Sequence, residues 1–520
     1  MLEQQNAQQE VIAFLSDRES YAGVDRVQRL ETHGNLVFLA ASEAWKIKRA
    51  VRFPYMDFST LEKRHRACVR EVEINRQFGS NLYLGCEPIA RSRVGTLAFG
   101  CDGVIVEWAV HMRRFEQTAL LSTIAGEAEI SSELACALAD VAYQAHQRAV
   151  AAAPCSAAAP VRDLSRSIPE ALGRSNIACP ELTVLAGGLR ERMEIAAATL
   201  DERGARGFVR RCHGDLHLAN IVIWQGHPVL YDAIEFDEAI ATVDTLYDLA
   251  FLLMDLDRHN QRTTANIVLN RYLWLSGAAL DFQGLIALPL LLALRAAVRA
   301  MTTADRAAQD KSGARASDVK HARAYLAKAI GYLKPPPPQV VAVGGLSGSG
   351  KTSVAARLAP WLGPAPGAVH LRTDLERKRL AGIGEHDRLP DSAYAADARK
   401  RVYQTLNERA RLVLRAGHTV IIDAVFADQG VRENAQALAW EAGVPFYGLW
   451  LDAHPETLLK RVTERQGDAS DATPEVVRTQ LQRERGPLTP EWVTVDAGGT
   501  LAETVADARA ALKTLEDRNS

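Results

Sequence analysis

Gly345-Leu346-Ser347-Gly348-Ser349-Gly350-Lys351-Thr352 constrains this 520-residue chain more than any other stretch, because it dictates a backbone shape and a chemistry together. It satisfies G-x-x-x-x-G-K-[ST] and lies between an apolar strand-like run, Val340 to Val343, and a helical one. Glycines let the chain turn tightly and aim successive N–H groups at phosphate oxygens, at a helix N-terminus whose dipole favours negative charge. Gly345, Ser347, Gly348, Ser349 and Gly350 are the expected phosphate cradle. Lys351 is expected to reach the β- and γ-phosphates of ATP, and Thr352 to ligate Mg²⁺.

Beyond this loop, apolar strands alternate with helical stretches: Val369 to Leu371, Thr419 to Ile422 and Phe446 to Leu451. Such alternation predicts an α/β unit, a parallel sheet covered by helices. The second strand runs into Arg372-Thr373-Asp374-Leu375-Glu376-Arg377, which puts Asp374 at the carboxyl edge where open α/β sheets bind ligands. Asp374 is the candidate acceptor of a hydroxyl proton, with Arg372 or Arg377 holding an anionic part of the acceptor. Asp423, at the end of the third strand, is a candidate Mg²⁺ ligand. Arg461 and Arg465 lie one helical turn apart and are the expected clamp on the transferring phosphate. From about Gln339 to Asp517 the chain resembles P-loop kinases of the gluconate-kinase, adenylylsulfate-kinase and zeta-toxin type. That resemblance implies an ATP-binding small-molecule kinase and leaves the acceptor open.

Pro335 to Pro338 cannot enter a helix or a central strand, so they predict a stiff spacer, 334–338, between a first domain at 1–333 and a second at 339–520. In the first domain, β-like runs (Leu36 to Ala40, Ala44 to Ile47, Val104 to Trp108) precede long Ala/Leu-rich helical stretches. Ala151 to Pro160 and Ala304 to Ser317 are expected to be loops. The informative string is His213-Gly214-Asp215-Leu216-His217-Leu218-Ala219-Asn220, followed by apolar strands and Asp232. Asp215 is placed to orient an acceptor hydroxyl, while Asn220 and Asp232 offer oxygens to Mg²⁺; His213 and Gly214 are expected to buttress the loop.

This string resembles the H-G-D-x-x-x-x-N loop of aminoglycoside and choline-type phosphotransferases, relatives of the protein kinases, with similarity from about Val24 to Ala304. The resemblance implies an α+β bilobal fold, with a sheet-bearing lobe to about residue 106, a hinge at 107–112 and a helical lobe over 113–333. It also implies a strand lysine on the α- and β-phosphates, paired to a helix glutamate. Lys46 and Lys48 share one face of their strand; Lys46 is favoured as nearer the centre of the apolar run, with Glu71 the matching acid and Glu73 in reserve. The loop expected over the phosphates has a single glycine, Gly34, where protein kinases use several. In the antibiotic kinases, carboxylates like Asp237, Glu238, Asp244, Asp248, Asp255 and Asp257 line a pocket for a polycation; here Asp244 and Asp248 are read as helix caps or loop braces.

Composition narrows the partners. With 61 Lys+Arg against 63 Asp+Glu the net charge is −2, so no global field draws nucleic acid or an anionic membrane. Seven scattered cysteines form no C-x-x-C pair, and the polar, acidic start lacks the pattern of a secretory signal, which points to a cytoplasmic protein. The apolar run Gly284 to Leu294 is short for a membrane span and is expected to be a core helix started or kinked at Pro289. The expectation is an enzyme with two ATP- and Mg²⁺-dependent phosphotransfer centres acting on a small-molecule hydroxyl. The alternative is an ATP-binding regulatory protein whose first domain has lost turnover.

Overall fold

The computed structural model describes residues 2–519 except 33, 54–55, 80, 101, 310–314, 465–469 and 483–485. The chain forms two compact units, Met1–Cys155 with Gly204–Asp255, and Ser156–Arg203 with Leu256–Ser520.

The first unit carries a six-stranded antiparallel sheet in spatial order Val27–Glu31, Asn35–Ala40, Glu43–Lys48, Val104–Arg113, Tyr83–Arg91 and Leu97–Phe99. Period-two alternation gives it two apolar faces. Leu36, Phe38, Trp45, Ile47, Ile89 and Ala109 face one side, where Val11 and Leu15 of the helix Leu2–Ser16 cover them. Leu39, Ala44, Val110 and Met112 face the other, packed on Cys68 and Val72 of the helix Leu61–Phe78. Thr60 caps that helix by accepting from the Lys63 N–H at 3.3 Å.

Residues 107–112, the expected hinge, lie within the strand Val104–Arg113, which pairs with Glu43–Lys48 on one side and Tyr83–Arg91 on the other. Alternating Ala109, Val110 and Met112 bury on the two faces, and this holds the segment in the sheet. Glu107 is buried too, accepting from Arg64 Nε at 2.9 Å and Gln8 Nε2 at 2.9 Å. Further along, two short antiparallel pairs, Ile221–Trp224 with His227–Leu230 and Val209–Arg211 with Thr242–Asp244, frame the segment 212–220.

In the second unit five parallel strands lie in the order Val369–Arg372, Val420–Asp423, Val340–Gly345, Phe446–Asp452 and Trp492–Asp496. Val340 to Val343 are fully buried, the signature of a central strand with both faces covered. The unit reaches back across Pro335–Pro338, ahead of the expected boundary, because helices on the N-terminal side of the prolines bury against the sheet. Helix Arg262–Ser276 lies along the edge strand: Asn270 Oδ1 accepts from the His370 N–H at 2.7 Å, and Asn266 Nδ2 donates to Ala368 O at 3.0 Å. Trp274 Nε1 donates to Leu375 O at 3.2 Å, just past the strand's carboxyl end.

Three local expectations change. Helix Ala158–Gly173 takes the end of the presumed 151–160 loop, and helices Leu288–Gln309 and Arg315–Tyr332 occupy most of 304–317, whose remaining residues 310–314 lie outside the described ones. Pro289 sits in the first turn of its helix, where a missing N–H costs nothing. The helical stretch Ala279–Ala308 is longer than its apolar run implied; it is long and apolar enough to cross a bilayer, yet 78% of its apolar window is buried inside the protein.

His418, fully buried just ahead of the strand Val420–Asp423, is pushed down to about 4 by burial, partly offset by the Leu285 backbone. A folded value below the unfolded one, about 6.5, means the unfolded chain binds more protons, so stability is full above 6.5 and falls as pH drops toward 4. Thermal unfolding of wild type against His418→Gln between pH 7 and 4.5 should show the wild type losing on the order of 3 kcal/mol more than the variant.

Candidate active sites

The strand Val340–Gly345 delivers the glycine-rich loop to the carboxyl edge of the sheet, and the helix Lys351–Leu358 starts from Gly350 in a left-handed conformation. Two glycines are forced by space. At Gly348, φ +86°, a Cβ would meet Leu458 O at 2.6 Å; at Gly345, φ +147°, it would meet Ser349 Oγ at 2.5 Å. Thr352 Oγ1 donates to Asp423 Oδ2 at 2.6 Å, joining the loop to the end of the neighbouring strand. Burial opposes ionisation of Asp423, but His370 and Lys351 outweigh it and hold the carboxyl below its ordinary value. His370 Nε2 lies 3.5 Å from Asp423 Oδ2, and burial lowers the pKa of its imidazole, opposed by that carboxylate. Among the described residues Ser349 Oγ is buried without a hydrogen-bond partner, and Lys351 Nζ donates to Leu346 O at 3.4 Å. An orphaned hydroxyl, glycines whose Cβ positions are blocked and a Thr–Asp pair fit an Mg²⁺–triphosphate ligand.

Asp374 begins the helix Thr373–Ala381 at the same edge, its Oδ1 accepting from Arg377 Nη1 at 3.0 Å; the Arg377 guanidinium lies 4.9 Å from the Tyr394 ring centre. Arg372 Nη1 is 3.7 Å from Glu385, which also pairs with Arg271. Arg461 is not aimed at the loop: its two Nη atoms donate to Ala497 O at 2.7 Å and Gly499 O at 2.8 Å, anchoring carbonyls after the last strand. Arg465 lies outside the described residues. His370 was missed by sequence reasoning; its signal was a polar residue inside the apolar run Val369 to Leu371.

In the first unit the strand Glu43–Lys48 turns both lysines toward the helix Leu61–Phe78, and Glu71 receives both, Lys46 Nζ at 2.8 Å and Lys48 Nζ at 2.5 Å. The second partner distinguishes them. Lys46 also donates to Asp232 Oδ1 at 2.5 Å, whereas Lys48 pairs with Glu235. Proximity to the metal-binding candidate therefore selects Lys46. Burial opposes its charge, but Asp232 and Glu71 hold it well above its ordinary value; burial likewise opposes ionisation of Asp232, and Lys46 nonetheless keeps that carboxyl low. Glu73 is exposed and pairs with Arg70 at 3.3 Å.

Asp232 follows the hairpin strand His227–Leu230 with φ +59°, donating its N–H to Tyr83 Oη at 3.1 Å. Asn220 Nδ2 donates to Asp215 Oδ2 at 3.0 Å, which leaves the Asn220 carbonyl oxygen as its acceptor for a cation, and His217 Nε2 lies 3.2 Å from the same Asp215 oxygen. His213 Nε2 donates to Tyr231 O at 2.9 Å and its Nδ1 accepts from the Asp215 N–H at 3.3 Å, the pattern of a neutral ring, in line with the lowering of its pKa by burial. Asp248 braces the loop from below, accepting from the Gly214 N–H at 2.9 Å and the His213 N–H at 3.3 Å. The other acids are engaged as well. Asp237 and Asp244 cap helices, Glu238 pairs with Arg70 and Arg211, Asp255 accepts from the Leu218 N–H, and Asp257 binds Lys328 and Tyr332.

Residues 340–487 match the model of a family described as an AAA domain. An uncharacterised protein of Mycobacterium tuberculosis (strain ATCC 25618 / H37Rv) is 29% identical over 497 residues, covering 92% of this chain and 94% of the relative. Among solved structures, a gluconokinase from Sinorhizobium meliloti 1021 is similar at 25% identity over 35% of this chain and 95% of its own, with a TM-score of 0.27. A choline/ethanolamine kinase family protein from Mesorhizobium loti is similar at 14% identity over 63% of this chain and 99% of its own, with a TM-score of 0.35. Fold and sites together define two parts, a kinase-like α+β unit and an α/β P-loop domain on a parallel sheet.

Glu71→Ala would leave two buried ammonium groups short of a counter-charge. It should destabilise the first unit by about 3–5 kcal/mol in urea unfolding, and Glu73→Ala by under about 0.5 kcal/mol.

Proposed function

We propose that the protein moves the γ-phosphate of ATP, with Mg²⁺, to a hydroxyl of a small molecule, and that the P-loop domain is its principal centre. The observation that carries this reading is the 2.6 Å contact between Thr352 and Asp423 at the mouth of a loop containing a buried, unpartnered Ser349 hydroxyl. Thr352 and Asp423 would hold Mg²⁺, which when bound offsets the charge of the triphosphate. Lys351 and the loop N–H groups bind phosphate oxygens, and Asp374, oriented by Arg377, takes the proton of the attacking hydroxyl. Tyr394 and Arg377 at the same edge suit an acceptor with an anionic or polar body.

In the kinase-like lobe, Lys46 would meet the triphosphate, Asn220 and Asp232 would hold Mg²⁺, and Asp215 would orient the acceptor hydroxyl; the Lys46–Glu71 and Asn220–Asp215 contacts support this reading. A second reading, in which this lobe binds nucleotide and regulates without turning over, is favoured by Gly34. That glycine packs so closely on Met56 that a Cβ would lie 2.7 Å from its Cε, so it serves packing more than a flexible arch over phosphates.

Incubation with Mg²⁺, γ-labelled ATP and panels of sugars, nucleosides and aminoglycosides tests both readings. Lys351→Ala should lower acceptor-dependent transfer by about 100-fold or more; a comparable loss in Asp215→Ala would assign turnover to the first lobe as well. ATP binding with no transfer to any acceptor would overturn the enzymatic reading in favour of the regulatory one.

A further inference from the structure

The phosphate loop already has a side chain on it. Gln480, on the helix Pro474–Leu481, accepts from the Ser347 N–H through Oε1 at 2.8 Å and donates through Nε2 to Ser347 Oγ at 3.2 Å. One carboxamide thus takes the N–H and the hydroxyl of a buried residue in the middle of the cradle. The helix that carries it is seated on the same loop. Val477, fully buried, packs with Leu458 and Val462 of the helix Pro455–Glu464, and Leu346 of the loop joins that apolar cluster. Gly348 in turn lies against Leu458 O. Helix, cluster and loop therefore move as neighbours, and Gln480 is their polar link among the described residues.

A carboxamide oxygen resembles a phosphate oxygen to an N–H donor: it is an acceptor at the same distance, but it carries no net charge. One N–H cannot point well at two acceptors, so an anionic oxygen brought to Ser347 must displace Gln480. We infer that Gln480 is a placeholder that holds the Ser347 N–H and hydroxyl until nucleotide phosphate takes them, and that its release loosens the helix Pro474–Leu481 from the loop. This rests on the P-loop reading above. The placeholder keeps a buried donor satisfied and couples occupancy of the cradle to the position of a helix beside it.

The test uses the full chain. Gln480→Ala removes the competitor, so the Kd for Mg²⁺-ATP should fall about three- to tenfold, the value of a neutral hydrogen bond no longer broken on binding. Gln480→Glu places a carboxylate beside the phosphates and should raise that Kd by at least about tenfold. In wild type, saturating Mg²⁺-ATP should speed hydrogen exchange across 474–481, while in Gln480→Ala exchange there should already be fast without nucleotide. Weaker ATP binding by Gln480→Ala, or slower exchange of the helix on adding ATP, would show that Gln480 is a phosphate ligand and overturn the inference. Unchanged affinity and exchange would show the contact to be incidental and overturn it equally. If wild type itself binds no ATP, the P-loop reading fails first, and that result is distinct from either.

Discussion

Two ammonium groups buried side by side in the first unit can exist only because carboxylates are buried with them. Stripping an ion of water costs several kcal/mol, and the mutual attraction repays it only when the cluster is complete. Lys46 and Lys48 therefore demand Glu71 from the helix Leu61–Phe78, together with Asp232 and Glu235 from a segment more than 180 residues away. Satisfying that demand pins strand, helix and hairpin into one arrangement. Everything attached to the hairpin follows: the loop bearing Asp215 and Asn220 is positioned by strands that end at Asp232, and Asp248 and the neutral His213 brace it from behind.

The second unit is held together by other means. Its cradle is backbone, shaped by glycines at positions where a Cβ would strike Leu458 O or Ser349 Oγ, and its charged groups stand at the ends of adjacent parallel strands. Parallel register brings Asp423 beside both Thr352 and His370, and the exposed edge of the sheet is closed by the helix Arg262–Ser276. Closing that edge also fixes the strand that leads into Asp374. The same helix thus covers unpaired backbone and steadies the strand leading to Asp374.

The two candidate sites are held in place differently. In the kinase-like lobe a triphosphate would be met by a lysine already tied to two carboxylates; in the P-loop domain it would be met by N–H groups, one of which Gln480 already occupies. The first arrangement is held by long-range charge pairing, the second by local turn geometry.

The sequence by itself determined the local devices: a G-x-x-x-x-G-K-T loop after an apolar strand, an Asp five residues before an Asn, α+β followed by α/β. Each is written in consecutive residues, where spacing and side-chain period dictate shape. It did not determine anything that depends on pairing across the chain. Lys46 and Lys48 share one face of one strand, and only Asp232, delivered by the fold, tells them apart. The string 107–112 is read as a hinge until two neighbouring strands pair with it. Arg461 reads as a phosphate clamp until the carbonyls of Ala497 and Gly499 claim it, whereas Asp244 and Asp248 cap a helix and brace the loop as read. Tertiary structure decided these because a polar group's role is set by whichever partner satisfies it when water is gone, and that partner is rarely adjacent in sequence.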